Sequence, residues 1–375
     1  MNLALTGAGG FLGWHVRVLL HALGWPDPVV LGRAELADPL LLASRISGVD
    51  RVLHLAGVNR GGDEDVAAGN VELAGALARG LRRCAVPPRT VVFANSVQAG
   101  NGTAYGDAKA VAAATLADAC RGSEFVDARL PNLYGEHGRP FYNSVVATFC
   151  RQLARGGELD VHGDRQLELV HAGDAAARLT GAPDAGPWDA TMPAKRIGVR
   201  ALAGWLAATA ATYRGGEIPA LRDRHDVRLF NTYRSHCFPE HYPMPLVRHA
   251  DARGELVEVV KAHGGGGQTF HSTTRPGVTR GEHYHLAKVE RFAVLRGRAE
   301  IALRRVGGDE VVRFPVRGDD PVVVDMPAMW AHNITNTGPD ELLTCFWSNE
   351  IFDPGRPDTY PEPVRLPGHV LMAAA

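Results

Sequence analysis

The chain has little cysteine, almost no net charge and no long apolar run, and each shortage removes a class of function. Cys84, Cys120, Cys150, Cys237 and Cys345 are scattered over 375 residues without a CxxC pair, so neither a disulfide scaffold nor a thiolate zinc cluster is expected. They read as reduced, mostly buried thiols. Forty basic residues face 41 acidic ones, leaving a formal charge of -1. That balance gives no electrostatic footprint for nucleic acid or a membrane surface, so small molecules or other subunits are the expected partners. No stretch is long and apolar enough to span a bilayer. Met1 leads directly into an apolar strand, without the basic region and cleavage site of a secretory signal. A cytoplasmic protein is expected. Lysine is scarce too: Lys109, Lys195, Lys261 and Lys288 are the four in an arginine-dominated chain.

What is present is enough apolar residue, 45%, for two cores, and a chain of this length favours two domains. Up to about residue 220, short β-rich runs alternate with alanine-rich stretches (Leu3 to Leu5, Val29 to Leu31, Arg51 to Ala56, Thr90 to Ala94, Phe125 to Leu130). This alternation predicts an α/β domain, a Rossmann-type doubly wound parallel sheet, over residues 1–240. From about Asp251 the texture becomes alternating runs broken by Gly and Pro, predicting an all-β barrel over 241–375. Phe238 to Pro245 reads as a linker between them, and Gly264 to Gly267 as a hairpin tip.

Thr6-Gly7-Ala8-Gly9-Gly10-Phe11-Leu12-Gly13 follows the first strand and opens a helix. The GxxGxxG spacing of Gly7, Gly10 and Gly13 lets a dinucleotide pyrophosphate approach the backbone and sit on the helix N-terminus. The second strand ends in Gly32-Arg33 with no acid. An arginine there suits a 2′-phosphate, which predicts NADPH over NADH. Tyr105 and Lys109 lie four apart on one face of a predicted helix, and Ser96 ends the preceding strand. The ammonium is expected to lower the phenol's pKa, so that Tyr105 exchanges a proton with a substrate oxygen polarised by Ser96.

Taken in order, these features resemble the extended short-chain dehydrogenase/reductase family, supported by His54-Leu55-Ala56-Gly57, Asn70-Val71 and Arg129-Leu130-Pro131-Asn132-Leu133-Tyr134-Gly135. The resemblance implies catalysis by Ser96, Tyr105 and Lys109. It implies cofactor contacts from Gly7, Gly10, Phe11, Leu12, Gly13, Arg33, Leu55, Ala56, Gly57, Asn70, Tyr105, Lys109 and Pro131, and substrate contacts from Asn59, Arg60, Gln98, Asn132 and Asn143. Dehydratases of the family carry an acid beside the serine, whereas Val97 and Gln98 follow Ser96 here. Simple carbonyl reduction is therefore favoured. The loop from Ser96 to Tyr105 is short and glycine-rich and reads as mobile.

In the second domain Gly277 is followed at fixed spacings by His283, His285, Glu290 and Gly297, and Pro327 by Met329, His332 and Asn336. Residues 283 and 285 face one side of a strand. Three imidazoles and a carboxylate fit a divalent metal, with zinc first and iron, nickel and manganese open. Both runs resemble cupin motifs, with Met329 where a glycine is usual. Reductase followed by cupin resembles the CapF-type enzymes of capsular polysaccharide synthesis, with shared runs at 54–60, 142–145, 147–150, 251–254 and 349–354.

That resemblance implies a bifunctional enzyme. The cupin would epimerise carbon-3 of a UDP-4-keto-6-deoxy-N-acetyl-hexosamine, and the first domain would reduce carbon-4 with NADPH to a UDP-2-acetamido-2,6-dideoxy-L-talose-like product. The nucleotide is read as UDP or dTDP, the base as Lys261 or Lys288, and the assembly as a homodimer through the cupin. Two alternatives stand beside it: a monofunctional keto-sugar reductase with a structural cupin, and a dinucleotide-sensing binding protein.

Overall fold

The computed structural model of the chain describes residues 1–183, 185–186 and 194–366. They divide into two compact units: Met1–Thr148 with Gly163–Val199, and Phe149–His162 with Arg200 onward.

The first unit opens with β1 (Leu3–Thr6), α1 (Phe11–Ala22), β2 (Val29–Leu31), α2 (Arg33–Ala37), α3 (Pro39–Ile46) and β3 (Arg51–His54). It continues with α4 (Asp63–Leu81), β4 (Thr90–Ser96), α5 (Ala104–Ala119), β5 (Glu124–Leu130) and β6 (Asn132–Tyr134). Next come α6 (Val145–Ala154), which passes into the second unit at Phe149, then β7 (Gln166–His171), α7 (Ala172–Thr180) and β8 (Lys195–Gly198).

The main sheet is parallel, in the order β2-β1-β3-β4-β5. Its strands read as continuous apolar runs because both faces are covered. Ala4, Val52, Val91 and Phe93 enter one core with Leu42, Leu77 and Leu116, while Leu3, Leu5, Leu53 and Val92 enter another with Val16, Leu20 and Leu179. Strand order reverses between β1 and β3, and ligands of such sheets bind outside the carboxyl ends of the strands at that switch point. A second sheet, β6-β7-β8, carries Asn132.

Beyond its Phe149–His162 segment the second unit holds α8 (Val199–Arg214) and α9 (Arg224–Cys237), followed by β9 (Met244–Pro245), β10 (Arg248–Asp251), β11 (Gly254–Val257), β12 (Gln268–Thr274) and β13 (Thr279–Tyr284). Then come β14 (Glu290–Arg296), β15 (Arg298–Arg305), β16 (Val311–Arg317), β17 (Val322–Met326), β18 (Trp330–Asn336), β19 (Leu342–Ser348) and β20 (Tyr360–Pro361).

Two antiparallel sheets, β12-β19-β14-β17-β9 and β16-β15-β18-β13-β20, form its body. They share an interior: Phe292 of one lies edge-on to His332 of the other, 5.7 Å between centroids.

The chain changes unit at Val199/Arg200, upstream of the expected 240/241 boundary, and the reason is polar. Tyr213 of α8 donates to Asp325 at 2.7 Å, Arg291 grips the same carboxylate at 2.7 and 2.9 Å, and all three are buried. Helix α9 donates from Arg228 and Asn231 to the carbonyls of Leu286 and Ala287. The segment expected as a linker belongs to the same unit: Phe238 packs on Phe314 and Trp330, and the Tyr242 hydroxyl meets that of Tyr213. Gly264–Gly267 leads as a bend into β12 rather than capping a hairpin.

Candidate functional site

At the switch point, the β1–α1 turn is pressed against the segment after β3. Thr6 Oγ1 accepts from the N–H groups of Leu55 and Ala56, both at 3.1 Å, and lies 2.8 Å from His54 Nδ1. Gly7 has φ +71, and a Cβ there would lie 2.7 Å from Ala56 N. At Gly13 a Cβ would lie 2.2 Å from the Gly7 carbonyl oxygen. Only glycine fits either position.

Helix α1 starts at Gly10 with no side-chain cap and no acid in its first turn, so the amides around Phe11 and Leu12 remain available to an anion. This cradle fits a dinucleotide pyrophosphate. Asn70 is buried beneath it and donates to the carbonyls of Val58 and Val66. It shapes the turn carrying Gly57.

Arg33 stands exposed in the first turn of α2. Sequence reasoning overlooked Glu35, whose carboxylate accepts from Gly32 N at 2.8 Å. Backbone N–H groups hold its pKa below the ordinary value. The acid nearest the end of β2 is thus engaged as a helix cap.

Ser96 ends β4, and its hydroxyl, which accepts from Gln98 N at 3.1 Å, lies near enough to the Tyr105 phenol to act on its pKa. Burial raises the phenol's pKa, and the nearby Ser96 hydroxyl only partly offsets this. The expected lowering by Lys109 is therefore corrected. Helical spacing puts both residues on one face, but the ammonium turns under the sheet to the Ala94 carbonyl (3.0 Å) and over the Phe93 ring (4.2 Å). Burial pulls Lys109 down to about 8, with Asp127 acting the other way.

The Ser96–Tyr105 loop is a chain of turns. Gly100 N donates to Gly106 O, and a Cβ on Gly106 would lie 2.3 Å from the Gln98 carbonyl oxygen. The segment expected as mobile is mostly exposed but is bridged by such backbone hydrogen bonds. Asn95 links it to β5, accepting from Ser96 N and donating to Asp127 at 2.6 Å.

Beyond Pro131, a cleft of about 360 Å³ is lined by Asn132, Tyr142, Asn143, Thr148 and Arg165, among others. It brings Asn132 and Asn143 together. Arg60 borders it, donating to Phe141 O at 2.5 Å and facing the Tyr142 ring. Asn59 and Gln98 are exposed on other loops. Arg165 was missed, since a lone arginine at a strand edge carries no pattern.

In the second unit, ligand atoms of His283, His285, Glu290 and His332 all lie within 4.8 Å of one another. A bulge at Glu282 (φ +62) shifts the β13 register against β18. His285 Nδ1 meets the Asp358 carbonyl at 2.5 Å and His332 Nδ1 the Trp330 carbonyl at 3.0 Å. A carbonyl only accepts, so each Nδ1 carries a proton and each Nε2 turns to the cluster.

These Nε2 atoms are buried without a well-aligned hydrogen bond, 2.9 and 3.5 Å from the Glu290 carboxylate. Neutral imidazoles turned towards a carboxylate are relieved by a cation placed between them, so the cluster fits a divalent metal. Burial, with the neighbouring imidazoles, drops the His283 pKa to about 3 and keeps it neutral. For His285 burial acts downward, but Glu290 prevails and the pKa rises.

Met329, where a glycine was expected, has φ +62, the conformation that explains that preference. Lys261 pairs with Glu258 at 2.8 Å, and Lys288 donates to Pro357 O at 2.6 Å. Both proposed bases are engaged by acceptors outside the ligand cluster.

Among the described residues no helix is long and apolar enough to cross a membrane. Residues 3–182 match the NAD dependent epimerase/dehydratase family, and 249–360 the polysaccharide biosynthesis C-terminal domain. A curated relative from Pseudomonas aeruginosa, named UDP-2-acetamido-2,6-beta-L-arabino-hexul-4-ose reductase, is 31% identical over 370 residues, covering 96% of this chain and 98% of its own. The crystal structure of the capsular polysaccharide assembling protein CapF from Staphylococcus aureus is 28% identical, with 97% of this chain and 100% of that chain covered and a TM-score of 0.58. A second CapF structure, with the inhibitor 3-isopropenyl-tropolone, gives 28% and 0.54 over the same spans. With relatives matched along nearly the whole chain and one family model on each half, the chain belongs to the CapF-type family, as a nicotinamide-dependent oxidoreductase of the short-chain dehydrogenase/reductase class.

Proposed function

We propose that the chain is a bifunctional sugar-nucleotide enzyme. It would epimerise carbon-3 of a UDP-4-keto-6-deoxy-N-acetyl-hexosamine in the β domain and reduce the carbon-4 ketone in the first domain, giving a UDP-2-acetamido-2,6-dideoxy-L-talose-like product. The observation that carries this is one chain holding both a hydroxyl pair, Ser96 with Tyr105, and four converging metal-type ligands. The Pseudomonas aeruginosa relative, named for reduction of a 4-keto UDP-sugar, supports the substrate class.

Bound NADPH would supply hydride, and a divalent metal, zinc first, would supply Lewis acidity towards the ketone. The rest falls to side chains. A phenol whose pKa is raised is protonated at neutral pH, the state a general acid needs when a ketone becomes an alcohol. Tyr105 gives its proton to the carbonyl oxygen while Ser96 polarises that oxygen, and Lys109 follows one turn on along the same helix. Arg33, with Glu35 occupied at Gly32 N, favours the 2′-phosphate. Asn132, Asn143, Arg60 and Arg165 are assigned to the nucleotide sugar around the cleft. His283, His285, Glu290 and His332 would hold the metal, whose Lewis acidity would make the proton on the carbon next to the ketone exchangeable with solvent. A homodimer through the β domain fits edge strand β12, where Phe270 is exposed.

The test is NADPH oxidation with a UDP-4-keto-6-deoxy sugar. We expect turnover by the wild type and a loss of at least 100-fold in Tyr105→Phe, in line with removal of a positioned general acid. Unchanged turnover in that variant would remove the reductase reading.

A further inference from the structure

The four expected metal ligands sit at the edge of a loop that the rest of the unit holds from two sides. Residues 286–288 join His285 to the strand bearing Glu290, and their backbone groups are taken up by distant side chains. The Asp358 carboxylate accepts three successive N–H groups: Leu286 at 2.9 Å, Ala287 at 2.9 Å and Lys288 at 2.8 Å. From the other side, Arg228 and Asn231 of α9 donate to the Leu286 and Ala287 carbonyls at 3.1 and 2.6 Å. The main chain of Asp358 completes the clamp, its carbonyl accepting from His285 Nδ1 at 2.5 Å. Its φ of +40 is a left-handed conformation that aspartate adopts more readily than most residues. Lys288 adds a bond from Nζ to Pro357 O, fastening the neighbouring residue to the same loop.

We propose that Asp358 is a positioning residue for the metal centre. One residue fixes the tautomer and direction of His285 through its carbonyl and, through its carboxylate, the path of the chain from His285 to Glu290. This rests on the metal reading above, but no feature of the ligand spacing requires it. A carboxylate satisfied by three backbone N–H groups is a rigid hub, and groups that orient a ligand imidazole change metal affinity by about 10–100-fold when removed.

The experiment titrates metal-free full-length protein with Co(II), following the visible absorption of the bound ion and the dissociation constant by chelator competition. Asp358→Asn keeps the backbone preference but retains at most two of the three N–H bonds. Asp358→Gly accepts the same φ and loses all three. We expect affinity in the order wild type, Asn, Gly, with a loss of about 10–100-fold and a changed cobalt spectrum. Circular dichroism of the metal-free variants checks that they fold. Folded variants that bind cobalt as tightly as the wild type, with the same spectrum, would overturn the proposal. A wild type that binds no cobalt would overturn it together with the metal reading, so the two failures are distinct. Should neither variant fold, nitrogen-15 histidine spectra of the metal-free wild type decide: a solvent-protected proton on His285 Nδ1 supports the hub, and an unprotonated Nδ1 overturns it.

Discussion

Single side chains carry the pH behaviour. Burial brings Lys109 down to about 8, and Asp127 keeps it from falling further. If the ammonium is the active form, reduction falls as pH rises through about 8, roughly tenfold for each unit beyond. Asp127→Asn removes the group acting upward, so the alkaline limb of kcat/KM should move to lower pH; a limb that stays in place would show that Lys109 does not govern it. Met329 sets two effects against each other. Its left-handed backbone costs about 1–2 kcal/mol, which Met329→Gly would relieve. The side chain is 3% exposed, however, and truncating a buried methionine costs about 2–5 kcal/mol. Burial wins, and the glycine variant should be less stable by roughly 1–3 kcal/mol in urea unfolding. A more stable variant would reverse that ranking. At this scale sequence spacing singled out Ser96 and Tyr105, and also His283, His285, Glu290 and His332, which the fold brings within 4.8 Å of one another, because each sits at a fixed offset on a strand or helix. It did not reveal where the Lys109 ammonium points, since Ala94 and Phe93 come to it through the tertiary fold, nor Asp358, which acts on backbone groups about 70 residues away.

Elements show the same division. The five parallel strands were legible as short β-rich runs between alanine-rich helices, and the antiparallel β runs because they alternate between turns. Helices α8 and α9 were assigned to the wrong neighbour: their apolar periodicity does not say which sheet they cover, and the deciding contacts are the buried Tyr213, Asp325 and Arg291. Asp325 is fully buried, and despite that burial the arginine holds its carboxyl below the ordinary pKa. Removing one partner of such a pair strands a charge, at a cost of about 3–5 kcal/mol. Asp325→Ala should therefore destabilise the second unit by that amount, read as an early unfolding transition that the first unit does not share. A single unchanged transition would mean that the helices are held by apolar contacts alone.

Over the whole molecule, the proposed function assigns two chemistries to two separately packed units, and this permits a clean separation. Epimerisation exchanges the carbon-3 proton with solvent, whereas reduction consumes NADPH and leaves that proton alone. His283 is the least buried ligand and stays neutral, its pKa near 3. His283→Gln thus removes a lone-pair donor without removing a charge from the cluster. In deuterium oxide without NADPH, the wild type should incorporate one deuteron at carbon-3 of the keto substrate, and the variant or a chelator-treated protein should lose at least about 100-fold of that exchange. Neither treatment touches Ser96, Tyr105 or the glycine cradle, so NADPH oxidation with an already epimerised 4-keto substrate should survive both. Exchange that persists in His283→Gln would demote the β domain to a scaffold and leave a reductase alone. Loss of NADPH oxidation alongside exchange would instead show that the reductase depends on the integrity of the second unit.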